Sequence, residues 1–444
     1  MAATKNIEIK DIARIGFFGG IRNFFADKKI NEWVIFYLLI YIVLLVKFIT
    51  LKEMDNGAFF GIYSVAVSFY ILSRFLLAYF YEPSHIKLNK NYEPTISFCI
   101  PAKNEERVIG ETIMKAANSY YPKNKLDIIV VNDGSTDNTL SEIQKAQKVA
   151  KELGVGVNII NWEVNRGKRE AMAECIKQSK SEIIVFVDSD SLVEPDAAKG
   201  LVKYFFDDRV GAVAGHAFVA NSNKNMITKM QDARYFIAFK AYKGAESLFG
   251  SVTCCSGCCS AYRREYLLKI LDEWQNQRFL GVKCTYGDDR SLTNSLLRRG
   301  YFTLYSPHAV SYTYVPDTFP KFMRQQLRWK KSWIRENLRA GTFMWKRNPI
   351  ASLSFYLGVI LPLLAPVIVV RALIWFPYTT GEVPMYYLFG LVIMAAIYGI
   401  YYHIHRRDKG WLYGMLFATF YTLILIWQLP YAILSLRDPK WGTR

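Results

Sequence analysis

The chain predicts an α/β catalytic domain of doubly wound design, inserted between transmembrane helices and carrying amphipathic interface helices. Three observations predict it. Short β-branched runs alternate with helical patterns between residues 95 and 216, the pattern of strands and helices wound about one sheet. A polar motif closes most of those runs. Near-continuous apolar segments stand on both sides of this block, and about 20 apolar residues suffice to cross a bilayer.

Taken in order, Met1–Ile30 comes first. It is too charged for a secretory signal, has no small-residue cleavage site and precedes a full-length span. Ile7, Ile9, Ile12, Ile15, Phe17, Phe18, Ile21, Phe24 and Phe25 mix with Lys and Arg. This reads as an amphipathic segment on the membrane surface, with a basic tail as the plainer alternative. Residues 31–81 hold two spans, Trp33–Thr50 and Ala58–Tyr81.

The polar block, residues 82–316, is the catalytic domain. Thr95–Ile100 is a strand ending in Pro101-Ala-Lys-Asn-Glu-Glu106, with a helix to about Ser119. Asp127–Val131 ends in Asn132-Asp133-Gly134-Ser135, and Asn138–Leu153 is helical. Val157–Asn161 is followed by Asn165-Arg-Gly-Lys-Arg169, which opens another helix. Glu182–Val187 leads into Asp188-Ser-Asp190, and Val210–His216 is a further strand. Ligands in such sheets bind beyond the carboxyl ends of the strands. Asn104, Glu105, Asp133, Lys168, Asp188 and Asp190 all sit there.

Residues 317–348 form the interface region. In Thr318–Ala340 the residues Phe322, Met323, Leu327, Trp329, Trp333 and Ile334 interleave with Lys and Arg. This predicts a helix on the membrane surface under the catalytic domain. Residues 349–436 carry three more apolar runs, Pro349–Phe376, Met385–Tyr402 and Trp411–Leu436. Pro430 interrupts the last, which predicts a bent, re-entrant element. Residues 437–444 would then return to the catalytic side as a gating segment.

The basic N-terminus and the loop His403–Gly410, against the neutral or acidic loops Lys52–Gly57 and Pro377–Pro384, place the catalytic domain in the cytoplasm of a multi-pass plasma-membrane protein. The net charge of +18 suits anionic lipid, a nucleotide diphosphate or an acidic polymer. No arginine-rich run or zinc-finger spacing supports nucleic acid. Seven cysteines, an odd number in a cytoplasmic domain, exclude a disulfide framework. Cys255-Ser-Gly-Cys258 has C-x-x-C spacing, but no second ligand pair follows, so small residues lining a tight pocket are the reading preferred over zinc.

Two carboxylate clusters carry the chemistry. Asp188 and Asp190 close a hydrophobic strand, where hard oxygens suit Mg²⁺ or Mn²⁺ and a diphosphate. Asp133, after another strand, could accept from a uracil ring, with Gly134 allowing a tight turn. No Ser, His or Cys arrangement suggests a covalent nucleophile. A direct displacement needs one base, and Asp289 in Gly287-Asp288-Asp289 supplies a carboxylate for it. Arg328 could clamp the diphosphate with its planar fork, and Trp329 could stack on an acceptor sugar. Trp441-Gly-Thr-Arg444 could fold over the nucleotide if the preceding segment is re-entrant.

From Pro101 to Arg444 the chain resembles the processive family-2 glycosyltransferases, and within them the hyaluronan synthases. Arg278-Phe-Leu-Gly-Val-Lys-Cys-Thr-Tyr-Gly-Asp-Asp-Arg-Ser-Leu-Thr-Asn294 and Gln325-Gln-Leu-Arg-Trp329 carry the likeness. The resemblance implies a GT-A domain over a transmembrane channel, UDP-GlcNAc and UDP-glucuronate as donors, and a nascent polysaccharide. It implies Asp289 as base and Asp188 and Asp190 on the metal. Ala102, Asn104, Glu105, Asp133, Lys168, Arg169, Asp188, Ser189, Asp190, Arg328, Trp441, Thr443 and Arg444 would surround the nucleotide-sugar. Ser256, Gly257, Cys258, Cys284, Asp288 and Trp329 would surround the acceptor. Ser256-Gly-Cys-Cys259 and Val315-Pro-Asp-Thr318 are closer to the bacterial chitooligosaccharide synthases, which use UDP-GlcNAc alone.

Overall fold

A computed structural model describes residues 58–438 and, before them, 34, 37, 38 and 40–45. Eight strands form one sheet in the order β3-β2-β1-β4-β7-β6-β10-β5. They are β1 Ile96–Ala102, β2 Leu126–Asp133, β3 Gly156–Trp162, β4 Ile183–Phe186, β5 Ser191–Val193, β6 Val210–Val219, β7 Ser260–Arg263 and β10 Phe302–Thr313; β8 Arg278–Phe279 and β9 Val282–Lys283 form a separate hairpin. β1 to β4 are mutually parallel. Both faces are covered, so these strands read as unbroken apolar runs. Phe98, Ile100, Ile128 and Val130 face one core; Cys99, Ile129 and Val131 face the other.

The expected order of strands and helices holds, but the sheet is mixed. β7 runs antiparallel between β4 and β6, and β5 is antiparallel to β10. β7 is four residues after a cysteine-rich turn, too short for a hydrophobic period. β10 shifts register between Tyr305 and Val310, around Pro307 and His308, which hides it as a strand pattern. The strand order reverses at β1, which pairs with β2 on one side and β4 on the other. A crevice opens at the carboxyl ends there, and Asp188 follows β4 directly.

Among the described residues, three helical stretches are long and apolar enough to cross a membrane: Phe59–Phe80, Pro349–Thr380 and Tyr387–Arg406. Gly410–Leu423 and Leu425–Leu434 pass the same test only together and meet at 42°. The first expected run, Trp33–Thr50, falls partly outside the described residues; its Val43 packs with Leu72, Phe75 and Tyr401. Met1–Ile30 lies wholly outside them. Phe69, Ile360, Val367 and Phe389 are exposed, the distribution a lipid-facing surface requires.

The bent pair is tied to the catalytic unit at both ends. Arg406, just before it, lies 3.6 Å from Asp232. Asp438, just after it, takes Lys331 at 3.1 Å and, through its carbonyl, the Tyr286 hydroxyl at 3.3 Å. Lys330 donates to the Leu425 carbonyl at the break and to Gln428 Oε1, adding a side-chain donor to a carbonyl that also accepts the Gln428 N–H.

Phe319–Gly341 is the expected long helix. Part of its polar side is buried within the protein, although Lys321 and Arg324 are exposed. Gln326, Lys331, Ser332, Arg335, Glu336 and Asn337 are buried. The polar groups are accommodated because they pair: Glu336 accepts from Gln277 at 2.7 Å and Arg335 at 2.9 Å, and its carbonyl from Asn294 at 3.0 Å. The helix is a structural wall between the Gly-Asp-Asp segment and the bent pair.

Candidate active site

The loops after β1 and β2 lock each other. Asn104 adopts φ 54°. Its Oδ1 accepts the Thr136 N–H at 2.9 Å, and its own N–H donates to Ser135 Oγ at 3.0 Å. The Glu105 N–H donates to Thr139 Oγ1 at 2.8 Å. Asp133 accepts the Arg166 and Gly167 N–H groups at 2.6 and 3.0 Å, so its carboxylate braces the loop that delivers Lys168. Gly134 sits at φ 63°, and a Cβ there would fall 2.5 Å from the Asn165 nitrogen. Only glycine fits that approach.

Lys168 and Arg169 open one helix and reach in different directions. Lys168 Nζ donates to Asp188 Oδ1. Arg169 Nε donates to Asp288 Oδ1 at 2.7 Å, with both side chains almost fully buried. Two acidic clusters about a hundred residues apart in sequence are thereby drawn together.

Gly257 completes the join. Its carbonyl accepts the Asp188 N–H at 2.9 Å and its own N–H donates to Asp289 Oδ2 at 2.9 Å. A Cβ on it would lie 2.7 Å from Asp188 Oδ1. Cys258 next to it lies within the field of Asp188, Asp190 and Asp289. Gly287 sits at φ 77°, where a Cβ would collide with Ser332 Oγ.

These groups line one cavity of about 2170 Å³ together with Ala102, Ser189, Ser256, Asp288, Arg328 and Trp329. Arg328 and Trp329 come from Phe319–Gly341. Trp329 packs against the Tyr235 ring at 6.2 Å. The cavity continues between the membrane-length helices, past Tyr63, Tyr70, Tyr242, Tyr398 and Tyr421.

The family model for Glycosyl transferase family 2 matches residues 97–271. A hyaluronan synthase of Streptococcus pyogenes serotype M3 is 30% identical over 387 residues, covering 86% of this chain and 90% of that one. An N-acetylglucosaminyltransferase of Mesorhizobium japonicum is 31% identical over 353 residues, covering 79% and 82%. The chain belongs to the hyaluronan-synthase-like family-2 glycosyltransferases. A solved mannosyltransferase of Pyrobaculum calidifontis, in complex with GDP-Man and Mn²⁺, shares the fold at a TM-score of 0.58 and 20% identity, over 82% of this chain and 99% of that one. The glycosyltransferase domain is thus GT-A-like, and three helices among the described residues outside it are long and apolar enough to span a membrane.

The electrostatics of this glycosyltransferase site act most clearly on Asp289 and Lys168. Burial pushes the Asp289 carboxyl up; Asp188 and Asp288 push the same way, against Lys168 and the Gly257 N–H. Burial alone would lower the Lys168 ammonium, yet Asp188, Asp289 and Asp288 hold it above its ordinary value. Burial lowers Arg328 while the same three carboxylates raise it; a guanidinium so placed keeps its charge. Burial pushes the Cys255 thiol up to about 12, so it stays neutral and is a packing group.

Two expected ligands do not line the cavity. Arg169 is buried behind it, bonded to Asp288, the Trp274 carbonyl at 3.1 Å and Gln277 at 3.2 Å. The resemblance implied a place at the nucleotide-sugar; Arg169 follows Lys168 in one helix, where successive residues point about 100° apart. Cys284 is buried too, its N–H on the Gln277 carbonyl at 3.0 Å. Trp441, Thr443 and Arg444 lie outside the described residues. Among the described residues no group of three or more His, Cys, Asp or Glu is arranged to hold a metal.

The cavity also contains residues the motifs did not reveal. Lys243 donates to Ser256 Oγ at 3.0 Å, and Arg290 to Thr253 Oγ1 at 3.4 Å. Arg234 and Tyr235 come from Met226–Ile237. That helix begins with an Asn225 capping box closed by Thr228, a local signal for a helix start but not for a site.

Proposed function

We propose that the protein is a processive, inverting glycosyltransferase that polymerises UDP-sugars and secretes the product, using UDP-GlcNAc and UDP-glucuronate to make hyaluronan. One observation supports this most. Asp289 and the Asp188 turn meet across Gly257 in a cavity that runs on, lined with tyrosines, among membrane-length helices. A catalytic base, a phosphate-facing acidic turn and a route for a chain therefore share one space.

Asp188 and Asp190 would hold Mg²⁺ or Mn²⁺. Two hard carboxylates on one turn, facing the cavity, fit such a cation, and the missing ligands fit diphosphate oxygens and water. When bound, the cation neutralises charge on the departing UDP. Lys168 sets the Asp188 carboxylate, and Arg328 faces the same diphosphate. Asp133 would hold the loop beside the uridine, together with Asn104 and Glu105. Trp329 would stack the acceptor, whose hydroxyl gives its proton to an Asp289 oxygen as it attacks the anomeric carbon from the face opposite UDP. Ser256, Gly257 and Cys258 would floor the acceptor pocket. No enzyme-bound sugar is required. The tail carrying Trp441, Thr443 and Arg444 would close over the nucleotide. The catalytic domain would face the cytoplasm, at the plasma membrane.

The donor assay tests this. Purified enzyme is given each UDP-sugar singly and then both. Polymer only from the pair supports the proposal; polymer from UDP-GlcNAc alone overturns it. That second outcome would establish a chitooligosaccharide-type synthase, which the 31% identity to an N-acetylglucosaminyltransferase favours. Asp289→Asn should lose transfer by about 10²–10⁴-fold, the usual contribution of a general base, with UDP binding intact.

A further inference from the structure

Arg234 lies in the wall of the cavity. Its guanidinium lies over the Trp329 ring at 5.1 Å and over the Phe417 ring at 5.4 Å. Trp329 belongs to the catalytic side, and Phe417 to the bent membrane pair. Arg234 therefore stands where the cleft passes into the membrane-lined part of the cavity.

Its surroundings are poor in negative charge. Burial pushes its pKa down, and the groups acting against that are the phenols of Tyr235 and Tyr421 rather than a carboxylate. Lys330 lies nearby, its ammonium lowered to about 7 by burial and by Arg234 itself. Ring faces replace only part of the hydration that a cation loses on burial. A planar guanidinium held this way, beside open space, suits a carboxylate arriving with the ligand. The donor diphosphate is the other anion in play, but its expected place is beside Asp188 and Asp190. Arg328 lies in the field of Asp188 and Asp289; Arg234 instead packs against Phe417 of the bent pair.

We propose that Arg234 receives the carboxylate of a uronic acid unit in the growing chain, one sugar inward of the unit stacked on Trp329. This rests on the two-donor reading and adds a residue that favours one half of the alternation, the transfer of glucuronate onto a chain ending in GlcNAc. A neutral sugar at the same place would leave the guanidinium unmatched, so a chain with a uronate there would be elongated in preference.

The test compares two oligosaccharide acceptors ending in the same GlcNAc unit, one with glucuronate next inward and one with GlcNAc. Full-length enzyme in lipid nanodiscs is assayed with UDP-glucuronate. The wild type should show a KM about 10-fold lower for the uronate-bearing acceptor, the size of one charge-assisted contact. Arg234→Leu should erase that preference while the KM for UDP-glucuronate stays within about twofold. Arg234→Lys should keep part of it, which covers the case in which the leucine variant fails to fold. Equal KM values in the wild type, or a preference that survives in Arg234→Leu, overturn the assignment. If the wild type requires both donors and yet the preference survives the substitution, only Arg234 is misassigned. Polymer from UDP-GlcNAc alone removes the two-donor reading and this proposal with it.

Discussion

Arg169 holds Asp288 at 2.7 Å from a buried position one residue beyond the lysine that holds Asp188. One helix start thus fixes both acidic clusters, and the spacing between them follows from its geometry. Lys168 sits on the cavity side; Arg169 sits beneath it, where Gln277 also receives Ser291 and reaches Glu336.

This arrangement makes Arg169 a positioning residue. Arg169→Met should leave the Asp288 charge buried without its partner. Breaking a buried pair on one side costs about 3–5 kcal/mol, so the domain should melt at lower temperature. If enough folds for assay, kcat should fall more than the KM for UDP-sugar, because Asp289 is displaced and the donor contacts are not. The double variant Arg169→Met with Asp288→Leu should recover stability better than activity. Unchanged melting in Arg169→Met would show that the pair bears no weight.

Asp289 leads to a pH prediction. Its carboxyl is raised by burial and by Asp188 and Asp288. As a base it acts only when deprotonated, so the acid limb of kcat/KM should lie above the ordinary Asp value of about 3.9. Lys168 is the main group holding it down, so Lys168→Met should move that limb to still higher pH. For stability the sign is opposite. A carboxyl with a raised folded pKa favours folding at acid pH, and that contribution is lost as pH rises through the folded value. An acid limb at or below the ordinary carboxylate range would exclude Asp289 as the titrating base.

Gly257→Ala tests the contact between the clusters. The added Cβ would meet Asp188 Oδ1 at 2.7 Å, closer than any relaxed carbon–oxygen contact. Asp188 must turn, which also disturbs its bond from Lys168. The expected outcome is a loss of Mn²⁺-dependent UDP binding of at least about 10-fold, with the melting temperature lowered by only a few degrees. A variant with unchanged UDP affinity would mean that Asp188 does not face the diphosphate. Gly154→Ala is the control: it also has positive φ, but the space around it is open to all but Lys123 Cβ at 4.0 Å.

Much of this site was legible before any coordinates. Asp133, Asp188 and Asp190 follow strands whose apolar runs are unmistakable, and such positions fall at one edge of a sheet by topology alone. Asp289 could be singled out because no competing nucleophile was present. That Arg169 lies behind the cavity was not legible, because a sequence does not say which face of a helix meets the core. The burial of Gln326, Arg335 and Glu336 in Phe319–Gly341 is likewise hidden in the sequence: an amphipathic period says which residues share a face, but not what covers it. Arg234 has no motif, and its role depends on Trp329 and Phe417, which arrive from 95 and 183 residues further along the chain. β7 and β10 were missed because one is short and the other irregular.

The C-terminal element makes the last prediction, on topology. Gly410–Leu423 and Leu425–Leu434 bend by 42°. Arg406 and Asp232 tie the chain to the catalytic unit before the bend, and Lys331 and Tyr286 hold Asp438 after it. A segment anchored to one unit at both ends is expected to enter the bilayer and return, since a full crossing would place Asp438 about 30 Å away on the other side. In sealed vesicles, a cysteine placed at Arg437 should therefore react with an impermeant thiol reagent from the same side as one placed at exposed Lys151. The native cysteines serve as the background, since four of the seven are buried within the catalytic core. Labelling of position 437 from the opposite side would break the link between the tail and the nucleotide site. Lys331→Ala should weaken that link without reversing the side, and its measurable consequence should be a higher KM for both UDP-sugars rather than a lower kcat alone.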